Sequence, residues 1–562
     1  NTASALQWPD YVVIGIMLSI SAGIGIYYRF TGGRQRTAEV KTWKINFDTA
    51  DRIDIDPISP INCTRSPSAE SYARGTQIML LYLGGFIGTP ITIYFYLPVF
   101  AELKLMSVYE YLEKRFGVRT RLLASAANFL QLMFYTGVVL FAPSLALEAT
   151  TGISGDLSVL LIGIICTFYS TIGGIKAVLV TDVVQGLLMF VAIACILGVA
   201  GNVLDGGLSN VWSISGQGGR TSFFNFSFDP TVTYTWWNML FGGTFLFLSL
   251  YAVNQVQVQR LSMKASQQAL LLSGPISMAL GVLTAFSGLV LYTIYKDCDP
   301  ITSGTLSGFD EIMPYFAAQE LSRFPGLTGL FISGIFSASL STISAMLNSL
   351  AAVALEDYVK PICKKIGVEF PTEKATFIGK VLGIVNGFVC LALAYIAKSM
   401  GGLVEVAVGV SGGIGGPLLG LFTLGMFVES ANETGAIAGT VTALILCLWA
   451  VLGYPKPDAV NLPFSVEGCD NATLLMDHVT DTTSYFYLYR VSYMWYTPMG
   501  FAITMVVGYL TSLATNRIFQ KDTREPDPSL FIPYLASRIR RRRETAEKTT
   551  SSQVFMLDRI IS

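Results

Sequence analysis

The chain has 562 residues, 52% of them hydrophobic and only 13% charged, with a mean hydropathy of +0.54, the composition of a polytopic membrane protein. Its 37 basic and 38 acidic residues nearly cancel, so no overall field argues for nucleic acid as a partner. A single histidine, His478, and the absence of clustered cysteines exclude a catalytic zinc centre.

The chain opens at Asn1 rather than methionine, which reads as a trimmed start, and no cleavable signal pattern follows. The first apolar run, about Tyr11 to Tyr28, leads into the basic stretch Arg29 to Arg36. By the positive-inside rule that end is cytoplasmic and the N-terminus extracellular. The next clear run, about Gln77 to Ala101, is followed by Lys104, Lys114, Arg115, Arg119 and Arg121, so its far end is cytoplasmic too. Two consecutive spans cannot both run from outside to inside, and a crossing is therefore missing between them. The intervening segment holds Asp48, Asp51, Arg52, Asp54 and Asp56, which no lipid-facing span tolerates.

Further apolar runs lie near 122–147, 157–175, 183–200, 235–253, 268–294, 327–353, 375–397, 402–428, 434–453 and 492–514. Each is long enough to cross a bilayer as a helix. Basic loops alternate with loops lacking basic residues from residue 77 onward, and the tail carries Arg538 and Arg540 to Arg543, which places the C-terminus in the cytoplasm. That arginine cluster either touches anionic lipid or simply stops transfer. The sequons at Asn225 and Asn471 fall in loops assigned to the outside and are candidate glycosylation sites. Cys298 and Cys469 lie in polar segments and can pair if both face the oxidising side. Paired Gly173 and Gly174 predict a tight turn between the runs at 157–175 and 183–200.

The run around Leu327 to Val353 carries a polar stripe. Ser337, Ser341, Ser344 and Asn348 follow spacings of four, three and four and so share one helix face, with Thr342 beside it. Neutral oxygens at such a site suit a small hard cation that has to be released again. The plainer alternative is that these hydroxyls bond back to carbonyls one turn earlier. Asp182 can receive a cation on its way to the cytoplasm, or can pair with Lys176 at the membrane edge. Asn254 and Gln255 put amides at a cytoplasmic helix end, where solvated helix termination is the alternative. Ser411 opens VSGGIGGPLLG, which either frees carbonyls for a cavity or packs a glycine-rich helix closely. No buried arginine stands out as a partner for a carboxylate.

These residues resemble the sodium/solute symporter family. The resemblance rests on TFYSTIGGIKAVLVTDVVQ, on YAVNQVQVQR beginning at Tyr251, on KDCDPITSG followed by MPYF, and on SASLSTISAMLNSLAAVALED. The wording is most similar to the animal branch of monocarboxylate, multivitamin and iodide transporters. The resemblance implies an all-α fold with a LeuT-type inverted-repeat core of five plus five helices and extra helices around it. It also implies a sodium site formed by the Ala338 carbonyl and the Ser341 and Thr342 hydroxyls, a sodium-exit role for Asp182, and substrate or gating roles for Tyr251, Asn254, Gln255, Ser344, Asn348 and Ser411. The expected ligands are sodium as the only coupling ion, with no cofactor, and a small anionic solute.

The resemblance fails from about Lys41 to Arg65, where the first core helix belongs. The expected organisation is then an N-terminal helix over 1–40, an atypical polar segment over 41–75 in place of the first core helix, the remaining core over 76–428, additional helices over 429–514 with an extracellular loop at 454–491, and a cytoplasmic tail over 515–562. The function expected is a plasma-membrane sodium symporter for a monocarboxylate, a vitamin or iodide. A non-transporting regulator or an inactive variant is the alternative, and no nucleophile, base and metal constellation argues for an enzyme.

Overall fold

The computed structural model describes residues 6–31, 67–103, 105, 107–204, 206–253, 263–306, 308–368, 370–371, 374–398, 403–453, 455–456, 460–469, 485–519 and 527–545. Every regular element among them is helical. In chain order these are α1 Trp8–Thr31, α2 Pro67–Arg74, α3 Met79–Ile91, α4 Leu97–Leu103, α5 Val108–Arg115, α6 Val118–Thr151, α7 Gly155–Val203, α8 Val211–Gln217 and α9 Trp236–Tyr251. Then come α10 Met263–Tyr295, α11 Ile312–Glu320, α12 Leu327–Val353, α13 Lys360–Ile366, α14 Ala375–Lys398, α15 Leu403–Phe427, α16 Glu433–Leu452, α17 Tyr487–Arg490 and α18 Tyr496–Phe519.

All twelve apolar runs are helical. Nine described spans are long and apolar enough to cross a membrane, with shorter apolar helices at Trp8–Ile24 and Gly155–Phe168. The crossing that charge parity requires between the first two runs falls within 32–66, outside the described residues.

Local chemistry sets several boundaries. Ser107, Thr235 and Asn432 cap α5, α9 and α16 by accepting from the backbone N–H of Tyr109 (3.3 Å), Asn238 (3.1 Å) and Gly435 (2.9 Å). Pro90 withholds an amide inside α3, and a π-helical turn over Thr92–Tyr96 follows before α4 resumes. At the other end of the chain order, Arg115 donates to the carbonyls of Gly425 (3.0 Å), Val428 (2.8 Å) and Ala431 (3.2 Å), satisfying the orphan acceptors at the end of α15.

The expected turn at Gly173 and Gly174 is not a break: α7 stays helical through the pair. Its neighbours show what the glycines do instead. The Ser170 hydroxyl reaches the Ser344 carbonyl, while Asp182, twelve residues further on, meets Ser341, three residues before Ser344 on α12. In straight helices twelve residues rise about 18 Å and three about 4.5 Å. So α7 bends between the two contacts, and glycines without a Cβ make a bend sterically cheap there.

The glycine run in α15 likewise leaves an unbroken helix. A Cβ at Gly416 would lie 2.4 Å from the Thr497 carbonyl oxygen, so the glycines serve close packing of α15 against α18. The central helix α12 packs against α7 and is fixed at both ends. At its start, Asp10 of α1 accepts from the Gly329 N–H (2.9 Å). Beyond its end, buried Asp357 accepts from Arg121 and from the Ser125 hydroxyl (2.7 Å) of α6.

Candidate ion and substrate site

The fixed helix α12 presents its polar stripe to α7. Ser337, Ser341, Thr342 and Ser344 are all buried, as is Asp182 of α7. Thr342 Oγ1 donates to the Ala338 carbonyl (3.0 Å), Ser344 Oγ to the Ser341 carbonyl (3.0 Å), and Asn348 Nδ2 to the Ser344 carbonyl (2.8 Å). These three follow the back-bonding pattern of hydroxyls and amides in a helix. Ser341 differs, because its hydroxyl crosses to α7 and donates to Asp182 Oδ1 (2.5 Å).

Asp182 therefore sits on the polar stripe itself. Its other candidate partner, the Lys176 side chain, is not among the described side chains. Ser337 Oγ is buried without a hydrogen-bond partner among the described residues. So are both amide atoms of Gln185, which is 1% exposed and three residues after Asp182 on the same helix face. The sequence reading passed over Gln185, although its spacing from Asp182 was visible. One carboxylate, several hydroxyls and an amide form an all-oxygen donor set of low charge, which suits sodium and not a thiolate-seeking metal.

Elsewhere, Tyr251 lines a narrow cavity of about 10 Å³ between α3, α9 and α10, together with Tyr82, Phe86, Phe247, Ser273 and Ser277. That space holds about one water-sized group. Tyr251 stacks on Phe247 at 5.5 Å, and Ser277 Oγ is buried with no partner among the described residues. Ser411 is on α15, where its carbonyl accepts from Gln131 Nε2 (3.1 Å) and its buried hydroxyl has no described partner. Asn254, Gln255 and Asn471 lie outside the described residues. Asn225 is described, and its Nδ2 donates to the Tyr234 carbonyl (3.1 Å).

Two arginines are nonetheless enclosed by the fold: Arg220 is fully buried and Arg74 nearly so. Neither is available to a substrate carboxylate. Arg220 donates to the carbonyls of Tyr72 (3.0 Å), Gly218 (2.7 Å) and Pro463 (3.0 Å) and lies 3.7 Å from the centre of the Tyr292 ring. Arg74 pairs with Glu70 (2.7 Å). Nothing in the local sequence marks either arginine for burial; contacts with distant segments enclose them.

Around Arg220 the structure builds a cap over α2. The Tyr72 hydroxyl donates to Asp299, which also accepts from Thr302 N (2.7 Å) and Oγ1 (2.6 Å). Cys298 and Cys469 are joined, with Cα atoms 5.1 Å apart, and the strap 460–469 bonds to α2 through Leu462 N and the Ala73 carbonyl (3.0 Å).

Comparison with known proteins agrees with this architecture. Residues 67–443 match the sodium:solute symporter family. A putative sodium-dependent multivitamin transporter of Drosophila melanogaster is 43% identical over 95% of this chain and 92% of its own length. Human sodium-coupled monocarboxylate transporter 1 is 37% identical over 90% of this chain and 87% of its own. Among solved structures, a Na+-coupled sialic acid symporter in its substrate-bound outward-open state superposes with a TM-score of 0.72, covering 90% of this chain and 98% of that one at 23% identity. That likeness carries the fold alone, and the fold is the LeuT type.

Proposed function

This chain belongs to the sodium:solute symporter family, and from that premise we propose that it carries a small organic anion, a monocarboxylate first of all, inward with sodium across the plasma membrane. The observation that carries the sodium half is the Ser341 hydroxyl meeting Asp182 on a buried polar stripe. We assign the ion to the Ala338 carbonyl, the Ser341 and Thr342 hydroxyls, and Asp182, with Asp182 taking it on toward the cytoplasm. Coupling follows if ion and solute each favour the same conformational state.

Substrate or gating roles go to Tyr251, Asn254, Gln255, Ser344, Asn348 and Ser411. An anion there meets hydroxyls, amides and helix ends, since the buried arginines are bound elsewhere. The 43% identical relative favours a second reading, a vitamin bearing a carboxylate; iodide is the third. The domain division proposed is the one read from the sequence, with the N-terminus and the Asn471 loop outside and the tail in the cytoplasm.

The test is uptake of labelled pyruvate, biotin and iodide, with and without external sodium, alongside surface labelling. It uses this chain and a version whose residues 41–65 are replaced by a family-like first core helix. Sodium-dependent pyruvate uptake by this chain supports the proposal, and biotin uptake alone moves the assignment to the vitamin reading. Surface-expressed chain that moves none of the three with sodium contradicts it and leaves the non-transporting alternative.

A further inference from the structure

A ladder of aromatic rings lies on the outer surface beside α9. Phe224, Phe226 and Phe228 are 72%, 53% and 76% exposed. The Phe224 and Phe226 rings stack at 6.0 Å, the spacing of alternate side chains on one face of an extended chain. The ladder then runs onto α9 by two rungs, Phe226 against Trp236 (5.7 Å) and Phe228 against Trp237 (4.9 Å). Trp237 in turn stacks on Phe241 (5.8 Å), which is 47% exposed on the flank of α9. The apolar surface of a membrane helix thus continues without interruption onto a segment that the sequence alone places in extracellular water.

Two features fix the position of this surface. It lies on the side of the disulfide: Arg220, just before the segment, donates to Pro463 of the strap that Cys469 ties down, and disulfides belong to the oxidising face. The ladder also stops at an exposed turn, where Asp229 accepts from the N–H (2.8 Å) and hydroxyl (2.7 Å) of Thr231. A carboxylate there limits how deeply the rings can go.

We propose that Phe224, Phe226 and Phe228, with Trp236 and Trp237, form an interfacial anchor that rests in the outer leaflet of the phospholipid bilayer, at the boundary between headgroups and acyl chains. Aromatic side chains favour that boundary, and a contiguous apolar patch of this kind marks a contact surface. The anchor fixes the outer end of α9, whose inner end carries Tyr251 at the cavity. It also decides the fate of one sequon. Asn225 sits between two lipid-facing rings, and the amide nitrogen that would carry a glycan is donating to Tyr234; the Asn225 sequon is therefore unused.

The test places an environment-sensitive fluorescent amino acid singly at positions 224, 226, 227 and 228 of the full chain in phosphatidylcholine vesicles. Emission at 224, 226 and 228 is expected to be blue-shifted and quenched more by brominated phosphatidylcholine than by aqueous acrylamide, with the order reversed at 227. Stronger acrylamide quenching at all three phenylalanine positions overturns the proposal, as does shielding from both quenchers, which a protein partner would give. An independent arm leaves every phenylalanine in place: the N62Q/N471Q chain, in which the sequons Asn62-Cys-Thr and Asn471-Ala-Thr are removed, is expected to show no glycosidase-sensitive shift in mobility. A shift that N225Q then removes would place a sugar at the boundary and refute the anchor.

Discussion

The disulfide-bearing cap and the polar stripe are both buried and polar, but they are held in opposite ways. In the cap, Arg220 spends its donors on three backbone carbonyls, Tyr72 is bound to Asp299, and a disulfide crosses 171 residues of sequence. In the stripe, the described hydrogen bonds of Thr342, Ser344 and Asn348 stay within α12, while that of Ser341 to Asp182 crosses to α7. The cap has full-charge groups with fixed partners. The stripe has mostly neutral oxygens that bond locally, with the Asp182 carboxylate reached from a second helix. On the proposed assignment, one region is built to stay assembled and the other to hold an ion and release it.

Five variants press on that contrast. The largest effect is expected from Asp182→Lys, which buries a like charge where sodium would pass: turnover of sodium-driven uptake should fall at least about 100-fold. Apparent external sodium affinity should fall less, and normal turnover in transport assays would return Asp182 to a purely structural role.

The cap should respond in stability instead. Arg220→Met leaves three carbonyls unsatisfied and is expected to cost roughly 4 kcal/mol, read as a loss of thermal stability in detergent. Cys298→Ser with Cys469→Ser should cost about 4 kcal/mol by releasing a long loop. In both, the molecules that remain folded should keep the sodium dependence of the parent, and a changed sodium dependence would show that cap and stripe are coupled.

Gly288→Ala tests the packing beneath the cap. The added Cβ would lie 2.2 Å from the Ser68 backbone oxygen, so α2 must shift on α10, at about 2 kcal/mol. Unchanged thermal stability would mean that α2 docks less tightly than its burial indicates.

The smallest effect is expected from Ser170→Ala. It removes one hydroxyl donor (3.2 Å) to the Ser344 carbonyl and should cost about 1 kcal/mol or less, with uptake intact.

Much of the architecture was legible because a bilayer imposes a length on every helix that crosses it, and the twelve apolar runs show that length directly. The polar stripe was legible for a related reason, since hydroxyls at helical spacing stand out in an uncharged run. What escaped notice depends on contacts between distant parts of the chain. Nothing local to Arg220 says that it will be enclosed by Tyr292, Phe464 and the strap, 72 to 244 residues further on. Gly173 and Gly174 signalled a change of direction, yet packing against α12 turns it into a bend within one helix. The sequence suggests Ser341 as a sodium ligand and Asp182 as a sodium-exit residue, but their contact depends on that bend. The phenylalanines at 224, 226 and 228 looked like loop residues until their rings were seen to continue the surface of α9.

The most direct measurement is sodium affinity in the double variant Ser341→Ala with Thr342→Ala, taken from the sodium dependence of uptake in vesicles, with surface or vesicle content measured in parallel. The account predicts loss of sodium-driven uptake in a chain that is still made and inserted. An unchanged apparent sodium affinity in that variant would contradict the assignment of the ion to the α12 stripe.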